Sequence, residues 1–247
     1  VFASDMNAQV GVSVLGKGYP LVLFHGWGFD SKIWSSLLPQ LSEQYQLYLV
    51  DLPGFGVTSP MGWSVFKEKI LAVLPGAFAL AGWSMGGLYA TRLAIEAPEH
   101  VTHLMNIASS PRFLRDVHWP GIEAAVIEAF YHSLVLHPQQ TLSEFMQLQL
   151  QGQTIPPTAV GGCPSLIGLQ EGLQLLLHWD LRPSLTMLLM PVCYLFGRLD
   201  TIVSRTTMMA MQKCYPHFQY LLFEQSAHAP FLSHPRAFLM ALEDFLK

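Results

Sequence analysis

Basic residues are scarce in this chain, and between Arg115 and Arg182 there are none. Only 12% of the 247 residues are charged, 13 Lys and Arg against 17 Asp and Glu, giving a formal net charge of −4. Nucleic acid and anionic membranes are held by dense positive charge, so neither is expected as a partner. Cysteine is almost as rare. Cys163, Cys193 and Cys214 are scattered, odd in number and without metal-ligand spacing. They read as reduced thiols in a cytoplasmic protein, with Cys193, which lies in an apolar run, assigned to the core. His118, His132, His137 and His178 form no ligand pattern either, so no metal is expected. Long apolar runs are also missing, although 51% of the residues are hydrophobic. The stretches 71–83 and 185–196 are broken by Pro75 and Pro191, and a membrane span needs about 20 predominantly apolar residues. Val1-Phe2-Ala3-Ser4-Asp5 carries no basic segment ahead of an apolar block, so no signal peptide is expected.

What is present is alternation. Short apolar runs bounded by Gly, Pro and Asp take turns with helix-length amphipathic stretches, which points to an α/β fold with a mostly parallel sheet. Strands are predicted over 10–15, 21–24, 46–50, 77–83, 101–107, 192–196 and 219–223, and helices over 31–38, 64–74, 85–97, 204–214 and 235–247. The last helix opens on Pro235, whose missing N–H costs nothing in a first turn. From 111 to 183 the alternation stops. Ile122, Val126, Ile127 and Phe130, then Leu142, Phe145 and Met146, keep helical spacing, while 152–164 reads as loop. The expected architecture is a core of residues 1–110 and 184–247, with 111–183 inserted as a helical cap over the carboxyl edge of the sheet. Chains of this length commonly form one α/β unit. A monomer is expected, although nothing in the sequence reads out oligomeric state, since apolar cap helices serve a substrate tunnel or a partner chain equally well.

The chemistry-bearing residues fall at predicted strand ends. Gly82-Trp83-Ser84-Met85-Gly86 lies between a strand and a helix, the context a nucleophile elbow requires. Glycines two residues either side of Ser84 remove Cβ atoms that would collide in so tight a turn. The helix that follows offers free N–H groups to developing negative charge. Serine needs a base, and on this fold the partners follow in the order Ser, acid, His. Asp200 follows the 192–196 strand and His228 follows the 219–223 strand, with Glu224 and Asp180 as rival acids and His234 as rival base. His25-Gly26-Trp27-Gly28 follows the 21–24 strand. Backbone N–H groups of Trp27 and Met85 are the expected pair of oxyanion donors, and the Trp27 indole either walls the acyl site or packs in the core. Asp51-Leu52-Pro53-Gly54-Phe55-Gly56 reads as a structural strand exit.

Taken together, these landmarks resemble the α/β-hydrolase family across essentially the whole chain, and within it the pimeloyl-[acyl-carrier protein] methyl ester esterases of biotin biosynthesis. The narrower resemblance also rests on Ala108-Ser109-Ser110-Pro111, Trp119-Pro120-Gly121-Ile122, Asp180-Leu181-Arg182 and Ala227-His228-Ala229-Pro230-Phe231. It implies a serine carboxylesterase with the triad Ser84, His228 and Asp200, needing no cofactor and acting on a small aliphatic ester presented on acyl carrier protein. It places substrate against Trp27, Ser84, Met85, His228 and the cap residues Phe145, Met146, Gln147, Leu148 and Gln149. In one respect the sequence departs from the family. Gln140 and Glu144 stand where the best-known members carry arginines that grip the acidic carrier, and the cap is several residues shorter near 152–163. Carrier docking then falls to Arg112, Arg115 or Arg182, or to a more apolar contact. The residues alone leave open a general carboxylesterase, a lipase, a carbon–carbon bond hydrolase, a perhydrolase, or a non-catalytic binding module. Haloalkane dehalogenases and epoxide hydrolases are disfavoured, because both place an aspartate where Ser84 stands.

Overall fold

A computed structural model describes residues 8–150, 161–162 and 164–247. Strands β1 (Val12–Leu15), β2 (Tyr19–Phe24), β3 (Tyr45–Val50), β4 (Phe78–Trp83), β5 (Val101–Ile107), β6 (Val192–Gly197) and β7 (Gln219–Phe223) form one seven-stranded sheet in the order β1-β3-β2-β4-β5-β6-β7. Every pairing is parallel except β1 with β3. Strands buried on both faces read as unbroken apolar runs, because parallel sheets are covered on either side. In β2, for example, Leu21 and Leu23 join the core on one face and Val22 and Phe24 the core on the other.

Helices α1 (Leu38–Gln44), α2 (Trp63–Val73), α3 (Met85–Glu96), α7 (Arg205–Cys214), α8 (Pro230–Ser233) and α9 (Pro235–Phe245) accompany the sheet. Phe238, Leu242 and Phe245 of α9 recur at helical spacing and bury one stripe. The helix expected over 31–38 is replaced by a 3-10 turn, Ser31–Trp34, ahead of α1. Asp30 caps the turn at Lys32 N–H, and Pro39, suited to a helix's first turn, sets the start of α1 instead.

Between β5 and β6 the chain inserts α4 (Ala124–Leu136), α5 (Pro138–Leu150) and α6 (Leu166–His178). Ion pairs join the two ends of this insertion. Arg182 reaches Asp180 at 2.6 Å and Asp116 at 2.7 Å, and Arg112 reaches Asp180 at 3.1 Å. The predicted loop at 152–164 falls largely outside the described residues, as do Cys163 and the first seven residues. Cys193 is fully buried, which pushes its thiol up to about 12. Among the described residues no helix is long and apolar enough to cross a membrane.

Candidate active site

Ser84 joins β4 to α3 with φ 55° and ψ −119°. Such a backbone costs roughly 1–3 kcal/mol outside glycine. The neighbouring glycines make it sterically feasible: a Cβ on Gly86 would sit 2.6 Å from Phe24 O, and one on Gly82 would strike the Gly86 backbone. The β5 exit holds the turn from beneath. Ser84 N–H donates to Ile107 O at 2.9 Å, and Ser109 Oγ donates to Ser84 O at 2.7 Å.

His228 Nε2 lies 2.8 Å from Ser84 Oγ, and His228 Nδ1 lies 2.7 Å from Asp200 Oδ2. An ionised carboxylate only accepts, so Nδ1 carries the proton and Nε2 is left to accept the Ser84 hydroxyl. The second oxygen of Asp200 accepts Ile202 N–H at 2.8 Å and Val203 N–H at 3.0 Å, which fixes the carboxylate in the loop after β6. Asp200, Ser84 and His228 are 4%, 5% and 1% exposed, so the series is shielded from water. The rivals lie elsewhere. Glu224 pairs with Arg198, Asp180 with Arg182 and Arg112, and His234 Nδ1 meets Ser233 Oγ.

The loop after β2 is equally constrained. His25 is fully buried, donates from Nδ1 to Gly26 O at 2.8 Å and accepts Leu52 N–H at Nε2 at 2.9 Å. Burial pushes its pKa down, which keeps this doubly bonded tautomer neutral. Asp51 accepts Ser31 N–H and Val57 N–H, consistent with a structural role for the 51–56 exit. Trp27 belongs both to the core and to a cavity wall. It is 1% exposed, donates from Nε1 to Leu169 O at 2.9 Å, and lines the cavity beside Ser84. Met85 opens α3, so its N–H belongs to a first turn that has no intrahelical acceptor.

A cavity of about 200 Å³ opens at Ser84. Its wall is Trp27 and Phe113 from the core, Val126, Ile127 and Phe130 from α4, Phe145 and Leu148 from α5, and Leu173 and Leu176 from α6. Apart from Ser84 and Thr201 its lining is apolar, and it contains no charged side chain. Of the cap stretch singled out in the sequence, Phe145 and Leu148 line the cavity, and Gln149 is buried against Trp27 O. Met146 turns to the opposite core cluster and Gln147 to the surface, because consecutive helical residues point about 100° apart. Sequence reasoning missed two contributors. Trp83 Nε1 donates to His228 O at 2.7 Å, and Ser109 supports the elbow; neither partner is visible from motif spacing. Among the described residues no group of three or more His, Cys, Asp and Glu side chains could hold a metal ion.

Comparison with known proteins agrees with this geometry. The model of the alpha/beta hydrolase family matches residues 21–241. The pimeloyl-[acyl-carrier protein] methyl ester esterase of Legionella pneumophila (strain Corby) is 53% identical over 232 residues, covering 94% of this chain and 97% of the relative. Its counterpart from Aeromonas hydrophila is 37% identical, covering 96% of this chain and 99% of the relative. Among solved structures, an esterase from Exiguobacterium antarcticum superposes with a TM-score of 0.87 at 20% identity, over 96% of this chain and 95% of the other. A bromoperoxidase from Bacillus anthracis gives 0.84 at 21%, over 97% and 95%, so the likeness at this level is one of fold. The chain belongs to the α/β-hydrolase family, in the group represented by these pimeloyl-[acyl-carrier protein] methyl ester esterases.

Proposed function

We propose that this chain is a serine carboxylesterase that removes the methyl ester from a pimeloyl chain carried on acyl carrier protein, a step of biotin precursor synthesis. The observation that carries the reading is the bonded series Ser84–His228–Asp200 opening on an apolar cavity. The names of the relatives supply the substrate.

The mechanism follows from the geometry. His228 Nε2 takes the Ser84 proton as Oγ attacks the ester carbonyl, and the N–H groups of Trp27 and Met85 receive the oxyanion. Asp200 holds the tautomer and stabilises the imidazolium. The imidazolium protonates the departing methoxide, and methanol leaves. Water activated by His228 then attacks the acyl-enzyme and releases the acid. No metal or organic cofactor enters these steps. Residues 111–183 act as the cap, and its aliphatic and aromatic wall suits the methylenes of the acyl chain. Cytoplasmic location and a monomeric state belong to the same proposal.

Carrier docking takes an unusual form. Arg112 and Arg182 are engaged with Asp116 and Asp180, and Arg115 with Glu123. The cavity rim instead presents Val126, 58% exposed, and Leu148, 47% exposed. An apolar contact therefore supplies most of the docking. The same lack of free cap cations favours, as a second reading, a general short-chain carboxylesterase.

Labelling with a fluorophosphonate, read by intact mass and peptide mapping, tests the chemistry. One adduct on Ser84 is expected, and Ser84→Ala should lower kcat by roughly 10⁶-fold. No adduct, or most activity retained in the variant, would leave a binding module on a hydrolase fold.

A further inference from the structure

Each of α4, α5 and α6 touches Trp27. Phe130 of α4 meets its ring edge-on at 5.5 Å, and Phe145 of α5 does so at 5.1 Å. Gln149 at the end of α5 donates from Nε2 to Trp27 O at 3.4 Å, and Leu169 O of α6 accepts from Trp27 Nε1 at 2.9 Å. Helix α6 makes the closest approach. A Cβ on Gly172 would lie 2.6 Å from Trp27 Cδ1 and 3.1 Å from Met85 Sδ. Gly172 thus sits against both residues whose N–H groups are assigned to the oxyanion.

The depth of α6 is set where its first turn meets Gly54. Ser165 Oγ donates to Gly54 O at 2.9 Å, and Gly168 lies on the Gly54 backbone with no room for a Cβ. Gly168, Leu169 and Gly172 occupy one face of the helix, so one rigid surface fixes all three contacts. Trp27 cannot yield easily, because its indole N–H is bonded and its ring is boxed by Phe130 and Phe145. Gln149 is fully buried, and its Oε1 has no partner among the described residues. Keeping an orphaned acceptor there costs stability, which apolar residues of similar size would not.

We propose that Gly172 and Gln149 are positioning residues of the reaction: α5 and α6 fix the spacing between the Trp27 and Met85 N–H groups, so that oxyanion stabilisation depends on a seated cap. The inference rests on the oxyanion assignment made above. A seated cap and an assembled oxyanion site are then one condition.

The test compares two inhibitors of equal chain length, an alkyl trifluoromethyl ketone and the corresponding methyl ketone. Ser84 Oγ adds to the activated carbonyl carbon, its proton passes to His228, and the carbonyl oxygen becomes an oxyanion held by the two N–H groups. The ratio of the two inhibition constants therefore reports that site. In Gly172→Ala the ratio should shrink by at least about tenfold, with kcat falling similarly and KM changing less than about twofold. Should Gly172→Ala fail to fold, Gln149→Met decides. It exchanges the orphaned Oε1 for the loss of the long bond to Trp27 O, so Tm should move by only a few degrees while the ratio shrinks by about threefold or more. A full ratio in the folded variant would overturn the positioning role. A wild-type protein that does not prefer the trifluoromethyl ketone would instead overturn the oxyanion assignment, and the inference with it.

Discussion

Trp83 illustrates how much of this site depends on groups outside its cavity wall. Its indole N–H holds His228 O at 2.7 Å, and its ring centroid lies 5.8 Å from that of the imidazole, so the residue before the serine also positions His228. Trp83→Phe keeps the ring and leaves a buried carbonyl unpaired, which costs roughly 1–3 kcal/mol. Urea unfolding should show that loss, together with a fall in kcat of about tenfold and little change in KM. Unchanged kcat in a destabilised variant would make the bond purely structural. The motif showed where Ser84 would be, because a strained turn demands glycines in sequence. It could not show that Trp83 bonds a residue 145 positions away. For the same reason Asp200 and His228 were legible only as candidates among Glu224, Asp180 and His234. Their position after β6 and β7 was readable, but the distances that separate them from the rivals were not.

The strands were legible because a sheet buried on both faces leaves little alternative to continuous apolar runs. The antiparallel direction of β1 was not, since a short strand's pattern is the same either way along its partner. The insertion was visible as a break in alternation, but the ion pairs joining its ends were hidden in residues far apart in sequence. Hydrogen bonds from Arg182 hold the Asp116 and Asp180 carboxyls below their ordinary value of 3.8. For an acid depressed in the fold, stabilisation is present above the unfolded value and disappears as pH falls below it. The Tm gap between wild type and Asp180→Asn should therefore be open at neutral pH and close as pH drops through about 4 and below. A gap that persists unchanged in acid would show that Asp180 acts through packing rather than charge. Both carboxyls are partly exposed, so solvent screening keeps the effect small.

Taken as a whole, the molecule places a shielded Ser84 under apolar helices, and the span from 116 to 181 contains no Lys or Arg. Charge steering of an acidic carrier is correspondingly weak. Raising salt from about 0.05 M to about 0.5 M should change kcat/KM for a carrier-linked ester by less than about threefold, because little surface attraction exists to be screened. A loss of tenfold or more would place a basic docking surface elsewhere on the chain. An esterase for carrier-borne acyl chains should declare itself in kcat/KM for pimeloyl methyl ester on acyl carrier protein, measured beside free dimethyl pimelate with Ser84→Ala as the blank. The carrier-linked ester should be markedly preferred, and equal or faster turnover of the free diester would make the enzyme a general carboxylesterase instead.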